Sequence, residues 1–189
     1  MALCLGYSLD ACGGFDARDQ MTRYVRWWRE GYLSSTGNCF DIGVTVSGAL
    51  HKFQQTGDPF AGSADPRKAG NGCIMRLAPI PLFYFPDIDQ AEHYAAESAR
   101  TTHGATECLD ASRLFARMLV RALRGETKTE ILTADAATFT GAAKIEAIAG
   151  GAYRNKDAAQ IRGSGYVVDC LEAALWCFAR TESFADAVL

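Results

Sequence analysis

The sequence predicts an all-α fold, and three observations carry that expectation. Apolar residues recur at helical spacing in several long segments, and no segment alternates as a half-buried strand would. All five prolines fall between Pro59 and Pro86. Proline removes a backbone donor and clashes with the preceding turn, so the proline-free flanks are open to helix while the middle is expected to be non-helical. With 49% of its 189 residues hydrophobic, 22% charged and a net charge of −3, the composition is that of a soluble globular protein. Intrinsic disorder and a general affinity for nucleic acid are thereby disfavoured. No apolar run approaches the roughly 20 residues of a membrane-spanning helix. The length suits one domain, residues 1–189. The first residues show neither the basic region nor the cleavage site of a signal peptide, so the expected compartment is the cytoplasm.

The elements follow in order. Met21, Tyr24, Val25, Trp28 and Tyr32 keep the helical period behind a start at Asp16. Asp87, after Pro86, is a good N-cap for a helix running to about Arg100. Cys108, Ala111, Phe115, Met118, Leu119 and Ala122 repeat the period. So do Val167, Leu171, Ala174, Leu175 and Phe178, closed by Arg180, where a cation suits the helix dipole. A short helix is expected from Thr140 to Ile148. Residues 57–73 form a long Gly/Pro/Ala/Asp-rich loop, of a length often associated with function. Arg113, Arg117, Arg121 and Arg124 share one face of the 105–124 helix and read as a solvated face rather than a phosphate track. The seven cysteines contain no C-x-x-C pair and read as buried, reduced thiols.

Four patches break the helical background. Ser34 to Gly43 lets the backbone turn and then cap a helix near Cys39 or Asp41; capping alone would account for Asp41. Gly70-Asn71-Gly72 permits positive φ and a close approach of backbone to ligand, although Asn-Gly is also an ordinary turn. His103 follows Thr101-Thr102 at a helix junction, where histidines are commonly structural. Gly163-Ser164-Gly165-Tyr166 opens the last long helix, a place where free N–H groups can hold phosphate. Walker, dinucleotide, Gly-x-Ser-x-Gly and His-Glu-x-x-His motifs are all absent, and no two aspartates are adjacent. Asp87-Ile88-Asp89 is better explained by capping than by metal.

In series, the stretches GYLSSTGNCFDIG (31–43), TGDPFAGSADPRKAGNGCIMRLAPIPLFY (56–84), TTHGATECLDASRLFARML (101–119) and GSGYVVDCLEAALWCFARTESFADAVL (163–189) resemble the ADP-ribosylglycohydrolase family over essentially the whole chain. The resemblance implies a compact multi-helix fold and hydrolysis of the glycosidic bond joining ADP-ribose to a protein side chain, often arginine. An ADP-ribosylated protein or a small ADP-ribosyl compound would be the partner. It also implies two Mg²⁺ or Mn²⁺ ions held by carboxylates. The family's Thr-Asp-Asp and Asp-x-Asp-Thr ligand elements have no counterpart here, and Val44 stands where a polar residue is expected. The chain therefore reads as an internal portion, incomplete at both ends, with no metal ligands of its own. By the resemblance, Asp41 is the catalytic carboxylate, as base or cation stabiliser. Gly70, Asn71 and Gly72 would approach the ligand with their backbone, and His103 would sit beside it. Gly163, Ser164, Gly165 and Tyr166 would line its adenosine or pyrophosphate side. A non-catalytic ADP-ribose-binding or crystallin-like structural protein is the alternative on the same fold.

Overall fold

A computed structural model describes residues 1–189. It contains eleven α-helices, three short 3₁₀ turns and two isolated bridges, with no sheet. The helices are α1 (Ala2–Cys12), α2 (Ala17–Glu30), α3 (Val44–Thr56), α4 (Gly72–Met75), α5 (Pro79–Tyr84) and α6 (Ile88–Arg100). They continue as α7 (Thr106–Leu123), α8 (Lys128–Thr133), α9 (Ala143–Ala149), α10 (Val167–Arg180) and α11 (Phe184–Val188). No helix is long and apolar enough to cross a membrane.

Local chemistry sets the ends of several helices as the sequence indicates. The Asp16 carboxylate accepts from the Asp19 N–H at 2.8 Å and starts α2; Asp87 accepts from the Gln90 N–H at 3.0 Å and starts α6. Tyr32 lies beyond α2 because Gly31 takes a left-handed φ of 69° and stops the helix at Glu30. The proline-rich middle is not free of helix, since α4 and α5 both lie within it. Pro79 occupies the first turn of α5, where the missing N–H has no intrahelical partner to lose. Helices α1 and α3 escape the periodicity argument. Gly6 and Ser8 interrupt the first, and Val44, Thr45, Val46 and Gly48 are weak helix formers in the second. Tertiary burial of Cys4, Leu5 and Leu9, and of Val46, Ala49 and Leu50, stabilises both.

Helix α7 organises the packing and touches α4, α5, α6, α8, α9 and α10. One of its faces places Cys108, Ala111, Leu114 and Met118 in a core shared with Ile145, Ile148, Leu171 and Leu175. Its other face sends Ala116 into a core built from α1, α2, α3 and α5 around Leu5, Tyr24, Leu50 and Ile80. The arginine row on α7 is not a solvated face. Arg113 pairs with Glu92 and Asp110, Arg117 with Glu92 and Asp135, and Arg121 with Asp135 and Glu126. These cations bind α7 to α6 and to the segment after α8, because the carboxylates they neutralise are themselves shielded from water. Only Arg124 reaches outward, to the Pro86 carbonyl. All seven cysteines are unpaired, but only Cys4, Cys73 and Cys108 are buried; Cys12 is exposed and the rest are intermediate.

The long 57–73 loop runs back across the α6–α7 junction. A Cβ on Gly62 would stand 2.5 Å from the Arg100 carbonyl oxygen, so only glycine permits the approach. Gly104 N–H then donates to the Ser63 carbonyl at 3.0 Å, fixing the loop beside His103.

Candidate active site

Segments far apart in the chain, the first residues of α1 among them, meet around one cleft of about 1020 Å³. The 33–46 segment forms a wall, the end of the long loop forms the opposite side, and His103 lies between them. The wall holds its shape through side-chain to backbone bonds. Ser34 Oγ donates to the Asn38 carbonyl at 2.6 Å, and Thr36 Oγ1 donates to the same oxygen at 3.1 Å.

Asp41 lies in this wall and is exposed to the cleft. It is not a helix cap: α3 begins at Val44, and Gly43 occupies the cap position. Asp41 has a φ of 54°, in the left-handed region that costs a residue with a Cβ about 1 kcal/mol. Its carboxylate enters no hydrogen bond or ion pair in the fold, so its charge is presented to the cleft.

The Gly70-Asn71-Gly72 turn uses its glycines for space, not for handedness. Neither glycine has positive φ, and Asn71 is near αR at φ −79°, ψ −3°. A Cβ on Gly72 would lie 3.1 Å from His103 Cε1, and one on Gly70 would lie 3.4 Å from His103 Nε2. The imidazole thus packs closely on Gly72, where a Cβ would require it to shift, and makes an ordinary contact beside Gly70. Asn71 N–H donates to the Gly165 carbonyl at 2.9 Å, and Val167 N–H to the Ala69 carbonyl at 2.9 Å. This short ladder joins the turn to the start of α10, and Asn71 Nδ2 reinforces it with a 3.2 Å contact to Cys170 Sγ.

Of the four residues ahead of α10, the fold brings Gly165 to the cleft and places the other three outside its lining. Gly163 is exposed, and Ser164 Oγ donates to Asp169 at 2.9 Å. The Tyr166 hydroxyl turns toward Glu107 and receives a 2.7 Å bond from Lys144. Tyr166 thus contributes through its backbone bridge to Gly70.

Sequence reasoning missed Arg76, which lines the cleft while only 3% exposed. Its guanidinium donates to the Gly72 carbonyl at 3.4 Å, the Ser98 carbonyl at 3.3 Å and Thr102 Oγ1 at 2.6 Å, and no carboxylate pairs with it. A charged residue inside the apolar run Ile74-Met75-Arg76-Leu77 was the available signal. His103 is 2% exposed, and burial, aided by the Arg76 charge, pushes its pKa down to about 3. The ring is neutral at physiological pH.

The donor set does not suit a pair of hard divalent cations. Asp41 is the one carboxylate of the cleft lining, and no group of three or more His, Cys, Asp or Glu side chains in the chain is arranged to hold a metal ion. Mg²⁺ and Mn²⁺ favour about six oxygen ligands each. The Gly70 N–H already donates to the Lys68 carbonyl at 2.8 Å, as the Asn71 N–H does to Gly165, so the chemistry available is one unpaired carboxylate in a cleft with a closely packed Gly70–Gly72 backbone and a neutral imidazole.

The family model for ADP-ribosylglycohydrolase matches residues 1–189. The chain belongs to the ADP-ribosylglycohydrolase family. Among curated ADP-ribosylglycohydrolase relatives, it is 39% identical to the ADP-ribosylarginine hydrolase Tri1 of Pseudomonas putida (strain GB-1), covering all of this chain and 50% of that protein. It is 33% identical to the ADP-ribosylarginine hydrolase Tri1 of Serratia proteamaculans (strain 568), over all of this chain and 51% of that protein. A solved ADP-ribosylglycohydrolase-related protein complex contains a chain that superposes with a TM-score of 0.79 at 37% identity. That match covers 98% of this chain and 59% of the other. The chain spans about half the length of the curated relatives it matches.

Proposed function

We propose that the protein carrying this chain is a hydrolase that removes ADP-ribose from modified arginine side chains of proteins, and that this chain builds the ligand-facing floor and one wall of its cleft. The observation that carries the reading is the unpaired Asp41 carboxylate, held at positive φ in a cleft that also collects the Asn71 turn and His103. Two relatives described as ADP-ribosylarginine hydrolases support arginine as the side chain released.

Hydrolysis places water at the anomeric carbon, breaks the bond to the guanidine nitrogen and passes through an oxocarbenium-like state. A carboxylate near that carbon stabilises the developing positive charge or accepts the proton of the attacking water. Asp41, the one carboxylate of the cleft lining, is the group we assign to either task. The Gly70–Gly72 backbone and His103 would hold the ADP-ribosyl group against it, with Gly163–Tyr166 at the margin. Two Mg²⁺ or Mn²⁺ ions, as the family resemblance implies, would need ligands beyond the carboxylate that this cleft offers. Seven unpaired cysteines fit a reducing, cytoplasmic setting.

The test is turnover of an ADP-ribosylated arginine substrate by the full-length protein. Asp41→Ala should lower kcat by about 10²–10³ and weaken ADP-ribose binding far less, because charge stabilisation acts mainly in the transition state. Near-normal turnover by a folded variant would refute the assignment. A single carboxylate in the cleft also favours a second reading, ADP-ribose binding without catalysis. Tight ADP-ribose binding with no turnover in the wild-type protein would select it.

A further inference from the structure

The ring of His103 is held by a chain of hydrogen bonds whose polarity can be worked out atom by atom. Arg76 Nη2 lies 2.6 Å from Thr102 Oγ1, and Thr102 Oγ1 lies 2.8 Å from His103 Nδ1. A guanidinium has donors only, so Thr102 Oγ1 accepts from Arg76. The Thr102 hydroxyl has one proton, and among its hydrogen bonds only His103 Nδ1 can take it. Were Nδ1 to carry the proton instead, the Thr102 hydroxyl hydrogen would be buried without an acceptor, at a cost of about 1–3 kcal/mol. Both Thr102 and Arg76 are almost fully buried, so water does not relieve that cost. A doubly protonated ring would set a second cation beside Arg76. In the neutral ring Nδ1 therefore accepts, and the proton rests on Nε2.

The other edge of the ring has no protein partner. Nε2 makes no hydrogen bond within the fold, it lies beside the Gly70–Gly72 turn, and His103 lines the cleft. We propose that Thr102, oriented by Arg76, is a positioning residue that fixes His103 as the Nε2–H tautomer, making it a hydrogen-bond donor to an oxygen of the bound ADP-ribosyl group. The donor role rests on the functional reading above; the tautomer does not. Arg76 also donates to the Gly72 carbonyl, so one buried cation sets both the turn and the imidazole opposite it. Positioning of this kind gives a role to a buried arginine with no carboxylate partner: its two terminal nitrogens donate to three neutral oxygens, of Gly72, Ser98 and Thr102, while Nε has no partner in the fold.

The experiment combines ring ¹⁵N spectra of the full chain with ADP-ribose titration by calorimetry. The chain has three histidines, so His103 is identified by the signal lost in His103→Asn. The wild-type ring should show an unprotonated Nδ1 and a protonated Nε2. Thr102→Val, nearly isosteric but without the hydroxyl, should populate the Nδ1–H form and weaken ADP-ribose binding by about 5- to 20-fold. Thr102→Ser, which keeps the hydroxyl, should restore both the tautomer and the affinity. A wild-type ring protonated at Nδ1 would overturn the tautomer assignment, whatever becomes of the variants. Unchanged tautomer and affinity in Thr102→Val would overturn the role of Thr102. A wild-type protein that does not bind ADP-ribose, yet shows the Nε2–H ring, would overturn the functional reading and the donor role with it. Should Thr102→Val fail to fold, Thr102→Ala, which also lacks the hydroxyl and adds no bulk, takes its place, and an unchanged tautomer and affinity there would overturn the role of Thr102.

Discussion

At the scale of single residues, function and stability pull apart at Asp41. Its left-handed backbone costs free energy that glycine would not incur, and its carboxylate has no partner in the fold. Asp41→Gly should therefore raise unfolding stability by about 0.5–1 kcal/mol in urea while removing activity. A loss of stability would mean that the carboxylate has a structural partner after all. His103 gives a pH signature of known sign. Its folded pKa, about 3, lies below the unfolded value of 6.5, so the unfolded state binds more protons between these limits. Stability contributed by the neutral ring is complete above pH 6.5 and is lost progressively as pH falls toward 3. Urea midpoints measured from pH 7 to pH 5 should fall for the wild type and fall less steeply for His103→Asn. Equal slopes would show that the ring is not kept neutral by burial.

At the scale of elements, α7 depends on charge as well as on its two apolar faces. Arg117 lies 2.7 Å from both Glu92 and Asp135, and the Asp135 side chain is 1% exposed. Arg117→Met would leave Asp135 with Arg121 alone, at 3.3 Å. The expected cost is about 3 kcal/mol, since a buried carboxylate loses most of its compensation. Thermal unfolding checks this, and a shift of under 1 °C would return the arginines to a solvated face. The periodicity of α7 was legible in sequence, but the partners of its arginines were not. Glu92 and Asp135 are separated from Arg117 by 25 and 18 residues, and no local pattern connects them. The same applies to α1 and α3, whose helical state is decided by the cores they enter.

At the scale of the whole molecule, the cleft is assembled from segments far apart in the chain and offers one carboxylate. Adding Mg²⁺ or Mn²⁺ to these 189 residues alone should not stimulate release of ADP-ribose from modified arginine. One carboxylate leaves most coordination positions of a hard cation to water, so binding should be weak. Metal-stimulated release would show that carboxylates now serving as helix caps, Asp16 and Asp87 among them, can move to coordinate.

The sequence by itself determined the all-α class, the caps at Asp16 and Asp87, and the family, because these depend on local spacing and on motifs read along the chain. It also brought out the Asn71 turn, Asp41 and His103 as residues of interest. What each of them does depends on neighbours that only folding supplies. Whether Asp41 caps or faces the cleft was settled by α3 starting at Val44. Why residue 72 suits glycine is explained by the imidazole packed against it. Which nitrogen of that imidazole keeps its proton follows from Thr102 and Arg76, through a hydrogen bond between residues 26 positions apart that only the folded chain brings together. Local propensity is written in neighbouring residues, whereas burial, charge pairing and proton position are properties of three-dimensional contact.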